Sequence, residues 1–133
     1  MKGLILILGF SLFWLTACAQ EVPETATQTE AESNEPQVIR VSKASFKTIL
    51  DANPGVTLVD LRTPTEYNGE KIGDAVNIDF LNSSFGVEIS KLEKDSLTLI
   101  YCKSGGRSSR ALSQMYALGF TNVRELEGGY MGW

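Results

Sequence analysis

The chain has 133 residues, of which 43% are hydrophobic and 21% charged, with a formal net charge of -4 and no histidine. That length suits a single domain of ordinary size, the apolar share is enough to close a core, and the negative charge argues against nucleic acid as a partner. Lack of histidine removes Ser-His-Asp triads, Cys-His dyads, histidine zinc sites and histidine proton shuttles. Two cysteines, Cys18 and Cys102, are too few for a disulfide framework or a four-thiolate metal site. Chemistry is left to cysteine, carboxylates, lysine, arginine and the backbone.

Met1 and Lys2 precede an apolar run from Gly3 to Leu15, too short for a comfortable membrane span but suited to the core of a signal peptide. The run ends in Leu15-Thr16-Ala17-Cys18, which resembles the bacterial lipobox, whose cysteine is lipidated before cleavage. Residues 1–17 are therefore expected to be a lipoprotein signal peptide and Cys18 the acylated N-terminus, with the protein exported and lipid-anchored in a bacterial cell envelope. Cys102 would then be the one thiol left in an oxidising compartment, a position that points to a reactive or intermolecular cysteine. Residues 18–37 carry Glu21, Glu24, Glu30, Glu32 and Glu35 with no lysine or arginine. Such a stretch cannot bury enough apolar surface to offset its ordering entropy, and reads as a disordered acidic tether. The folded domain is expected over residues 38–133, where acidic and basic residues balance.

Ser42 is placed to cap a helix running to about Ala52, which Asn53-Pro54-Gly55 stops. Val56 to Leu61 is a β-branched run of strand length, and Thr63-Pro64-Thr65-Glu66 after it has the form of a capping box with proline at the first helical position. Ala75 to Ile78 and Leu97 to Tyr101 read as further strands, and Leu81 to Leu92 is ambiguous with room for a short helix. Ser108 to Leu118 is the clearest helix, closed by Gly119, and Val123 to Leu126 is a last strand. Strands alternating with helices imply an α/β fold with a parallel sheet, whose carboxyl edge gathers binding sites.

At that edge lies Tyr101-Cys102-Lys103-Ser104-Gly105-Gly106-Arg107-Ser108-Ser109-Arg110. A strand delivers Cys102 to a small glycine-bearing loop, and a helix starts where the loop ends. Several backbone N–H groups and a positive dipole end are thereby aimed inward. A cysteine in such a cradle has a depressed pKa, reinforced by Lys103 and Arg107, while Gly105 and Gly106 allow the backbone its turn. Arg62 reads as an ion-pair partner for Glu66, Asp60 as a hydrogen-bond acceptor at a strand end, and Tyr101 and Trp133 as core or rim aromatics.

Over most of residues 38–133 the chain resembles the rhodanese (sulfurtransferase) domain family. Leu58 to Tyr67 is similar to its first signature, Ala75 to Ile78 to its middle one, Cys102 to Ser108 to its active-site loop, and Gly128-Gly129 with Trp133 to its C-terminal signature. Lys71 stands where relatives often carry histidine. The resemblance implies a five-stranded parallel sheet flanked by helices, with Cys102 carrying sulfur as a persulfide. Four residues separate Cys102 from Arg107, the loop length of sulfurtransferases, whereas related phosphatases have five; an arsenate- or phosphate-ester-processing activity is thereby disfavoured.

The expected reaction is attack of the Cys102 thiolate on the outer sulfur of a sulfane donor such as thiosulfate. Lys103, Ser104, Gly105, Gly106, Arg107 and Ser108 form the substrate-binding loop, Lys103 and Arg107 hold the donor's anionic part, and a second thiol collects the sulfur. No metal or organic cofactor is required, and the protein is expected to act as a monomer. The alternative is a membrane-tethered persulfide carrier or binding module without turnover of its own.

Overall fold

The computed structural model describes residues 35–133. The expected signal peptide, the Cys18 lipidation site and nearly all of the tether lie outside them. Ten elements follow in order: β1 (Gln37–Val41), α1 (Lys43–Ala52), β2 (Thr57–Asp60), α2 (Pro64–Gly69), β3 (Val76–Asn77), α3 (Phe85–Ile89), β4 (Thr98–Tyr101), α4 (Gly106–Ala117), β5 (Asn122–Leu126) and α5 (Gly129–Gly132). The strands form one five-stranded sheet in the order β1-β5-β4-β2-β3, with every pairing parallel.

The local signals act as read. The Ser42 hydroxyl accepts from the Ser45 amide at 3.2 Å and opens α1. Thr63 and Glu66 exchange reciprocal bonds, Thr63 N to Glu66 Oε2 at 3.0 Å and Glu66 N to Thr63 Oγ1 at 3.4 Å, with Pro64 as the first helical residue of α2. Gly119, with φ +87°, follows the end of α4. Three readings change. Gln37, assigned to the tether, already pairs with Asn122 in β1, an edge strand the apolar pattern did not mark. The strand expected over Ala75 to Ile78 contracts to two residues. Helix α4 begins at Gly106 rather than Ser108.

Strand alternation splits the core in two. Val59, Leu61, Ile100, Cys102 and Val123 face one cluster with Phe85 and Ile89 of α3 and Ala111 and Met115 of α4. Leu58, Leu99, Tyr101 and Leu126 face the other, with Phe46 of α1. Strand β4 lies at the centre of the sheet with all four residues buried. Whatever follows Tyr101 is thus delivered to the middle of the carboxyl edge.

Candidate active site

The central strand ends and Cys102 begins a tight loop beneath the first turn of α4. Its Sγ lies 3.2 Å from the Gly105 amide and 3.4 Å from Ser108 Oγ, and the residue is 1% exposed. Gly105 turns the loop with φ +94°, a conformation that costs a residue with a Cβ roughly 1–2 kcal/mol. Gly106 adopts ordinary helical backbone, so only the first of the two glycines is needed for the turn. Helix α4 has no side-chain cap, and the amide of its N-cap, Gly105, points at the sulfur. Burial pushes the Cys102 thiol up. Hydrogen bonds from the Ser108 hydroxyl, when its hydrogen turns to the sulfur, and from the amides of Ser108, Ser104 and Gly105 together outweigh it and hold the thiol below its ordinary value.

Arg107 reaches the site already paired. Its guanidinium makes a bidentate pair with Glu66 of α2, Nη1 to Oε2 at 2.8 Å and Nη2 to Oε1 at 2.9 Å, and this commits its fork to a carboxylate of the protein. Glu66 is thus not the partner of Arg62. Arg62 instead donates to both Asp60 oxygens at 2.6–3.0 Å and to the Glu70 carbonyl. The helical spacing rule fails here because Arg62 precedes the N-cap and lies outside the helix, while the capping box turns the Glu66 carboxylate back toward Thr63. Asp60 is the strand-end acceptor that was expected. Tyr101 is a core aromatic whose hydroxyl accepts from the Ile72 amide at 3.0 Å, and Trp133 packs edge-on against Phe46. Lys103 and Ser104 are exposed at the loop's outer face.

The Glu66 carboxyl is pulled down to about 2, first by its hydrogen bonds from Arg107 and, against some burial, by the amide and hydroxyl of Thr63. Its stabilising contribution is therefore complete above about pH 4.5, the unfolded value, and disappears as pH falls through about 2. Glutamine keeps the capping geometry and removes only the charge. The stability gap between the native chain and Glu66→Gln, followed by urea unfolding, should be constant near neutrality and should close below pH 4.5; a gap independent of pH would show that the ion pair contributes nothing.

Two features of the site were not read from the sequence. Helix α5 clamps the loop: the Tyr130 amide donates to the Cys102 carbonyl at 2.7 Å and the Met131 amide to the Lys103 carbonyl at 2.9 Å. Gly129 allows this approach, since a Cβ there would lie 2.5 Å from the Cys102 carbonyl oxygen. Below the loop, Glu125 of β5 is wholly buried, accepting from Ser108 Oγ at 2.6 Å and from Arg40 Nε at 2.5 Å. Parity in β5 was the available signal, because Glu125 shares the core-facing side with Val123.

The profile of the rhodanese-like domain matches residues 42–133. The chain is 32% identical over 96 residues to a sulfurtransferase of Allochromatium vinosum, covering 72% of this chain and 88% of that protein. It is 33% identical over 79 residues to the thiosulfate sulfurtransferase GlpE of Pseudomonas entomophila, covering 59% of this chain and 71% of that one. It also matches the probable adenylyltransferase/sulfurtransferase MoeZ of Mycobacterium tuberculosis, of which it spans 21%. Among solved structures, the rhodanese-related protein of Thermoplasma volcanium superposes with a TM-score of 0.61 at 26% identity, covering 71% of this chain and 88% of that one. The family match runs unbroken from the cap of α1, through the cysteine loop and its clamp, to Trp133, and the chain belongs to the rhodanese-like domain family.

Proposed function

We propose that the protein is a sulfurtransferase that moves sulfane sulfur from a small donor such as thiosulfate to a thiol acceptor through a persulfide on Cys102. The observation that carries this reading is the convergence of loop amides on the Cys102 sulfur at the start of α4. The thiolate Sγ attacks the outer sulfur of the donor, a new S–S bond forms, and the donor's own S–S bond breaks with its electron pair leaving on sulfite. The persulfide's terminal charge then rests among the loop amides. An acceptor thiolate attacks that terminal sulfur, and the bonding pair returns to Cys102. With Arg107 engaged by Glu66, the anionic end of the donor is met by the amides and by the exposed Lys103.

We further propose that the chain works from a lipid anchor at Cys18 on an exported face of a bacterial envelope, on the strength of the Leu15 to Cys18 pattern behind its apolar run. Intact mass spectrometry tests both readings. Protein from bacterial membranes should begin at an acylated Cys18, and thiosulfate should add one sulfur, removed again by a small thiol. An unmodified N-terminus would defeat the anchor, and no added sulfur would defeat the persulfide.

A further inference from the structure

Strand register brings three residues of one row beneath the cysteine loop. Arg40 of β1 pairs with Glu125 of β5, and Glu125 pairs with Ile100 of β4, two residues before Cys102 on the same face. The Ser108 hydroxyl closes the gap. Its oxygen is 2.6 Å from Glu125 Oε1, 3.2 Å from the Gly105 carbonyl and 3.4 Å from Cys102 Sγ. A hydroxyl has one hydrogen to give, so these three acceptors compete for it. The carboxylate at 2.6 Å is the strongest of them.

We propose that Glu125 is a positioning residue for the chemistry of Cys102: it holds the Ser108 hydroxyl hydrogen away from the sulfur, and so keeps the thiolate more basic and more nucleophilic than the loop alone would make it. While Cys102 is a thiol, its S–H donates into the free lone pairs of Ser108 Oγ, and Ser108 donates to Glu125, so every hydrogen is used. Once the sulfur ionises, Ser108 can serve it only by leaving Glu125, and the loop amides remain as the uncontested support. In the persulfide the charge moves to the outer sulfur, Sγ becomes neutral, and the hydroxyl belongs to Glu125 again. The restraint therefore acts on the thiolate and is relieved by sulfur loading.

Arg40 makes this arrangement tenable. Glu125 is fully buried, and an unpaired carboxylate there would be severely penalised. Arg40 meets it with Nε at 2.5 Å and Nη2 at 3.3 Å, and the same Nη2 reaches the Gly105 carbonyl at 3.4 Å, joining the pair to the loop. The charged groups around the sulfur are Lys103 in the loop, Arg107 of α4 with its partner Glu66 of α2, and Arg40 of β1; around Glu125 they are Arg40 and, beyond it, Glu127.

The proposal uses the sulfur-transfer reading only to say what the nucleophile is for, and its test needs no turnover. In the full-length chain carrying Cys18→Ser, Cys102 is the one thiol. Its rate of modification by methyl methanethiosulfonate, a small sulfur electrophile, is measured against pH. Glu125→Gln should lower the midpoint by about one pH unit and, with a Brønsted slope of about 0.4–0.5, lower the high-pH plateau roughly threefold. In a Ser108→Ala background the same substitution should move the midpoint by less than half as much. An unchanged midpoint would overturn the proposal, as would an equal shift without Ser108, which would mean a charge acting through space. Should Glu125→Gln not fold, the S–H stretch of the unsubstituted site decides: Ser108→Ala should move it to higher wavenumber, and an unmoved band would overturn the proposal. Failure of these readings leaves sulfur loading by thiosulfate intact, and failure of loading leaves them measurable.

Discussion

Replacing Cys102 with serine should abolish sulfur loading completely while the domain stays folded. The serine oxygen fits the space of the sulfur and can take the hydrogen bond that the Gly105 amide gives Sγ at 3.2 Å, so the loop keeps its partner. The chemistry does not survive the exchange. The loop lowers an already acidic group, whereas the same amides acting on a hydroxyl start many units higher and leave it protonated at neutral pH. The measurement is intact mass after thiosulfate, alongside donor turnover and thermal unfolding. Undiminished loading in Cys102→Ser would overturn the assignment of the nucleophile.

The second large effect is expected at a residue with no functional group. Gly129→Ala should destabilise the domain by about 2–5 kcal/mol, the sum of a left-handed conformation and overpacking. It should also slow sulfur transfer at least about a hundredfold, as displacements near 1 Å at a reacting centre do. Gly129 has φ +60°, and a Cβ there would stand 2.5 Å from the Cys102 carbonyl oxygen, 2.8 Å from the Lys103 carbonyl carbon and 2.9 Å from the Gly105 nitrogen. All three are backbone atoms of the cradle, so relief means moving the cradle. Gly128→Ala is the control: its φ is +74° but the nearest atom to an added Cβ is 3.8 Å away. It should cost only about 1–2 kcal/mol of backbone strain and keep most of the activity. Urea unfolding and thiosulfate turnover of the two variants side by side are the check; equal behaviour would show that α5 does not hold the loop in place.

Much of this site could be read from residue order because its signals are local. A capping box needs four consecutive residues, and Thr63 to Glu66 supplied them. The passage from an apolar strand through Cys102 to a glycine turn and helix is likewise contiguous. What escaped depended on residues brought together from afar. Strand β1 lies at an edge with Gln37, Ile39 and Arg40 exposed and Val38 and Val41 half-buried, so Val38 to Val41 lack the continuous apolar run that marks a central strand. Helix α5 has the sequence Gly129-Tyr130-Met131-Gly132, poor in helix formers, and exists because two loop carbonyls take its amides. The partner of Arg107 was missed for the same reason: Glu66 lies 41 residues away in the chain, and the nearer Arg62 satisfied the spacing rule without the geometry.

The clamp also sets when the thiol acquires its character. Residues 129–132 are synthesised after the loop they brace, and the Cys102 and Lys103 carbonyls have no hold from α5 until those residues are in place. A nascent or unfolded chain therefore carries Cys102 as an ordinary thiol with a pKa near 8.5, mostly protonated and slow to react at neutral pH. The lowering that the loop gives the thiol is therefore acquired only as the fold closes, and an open chain has none of it.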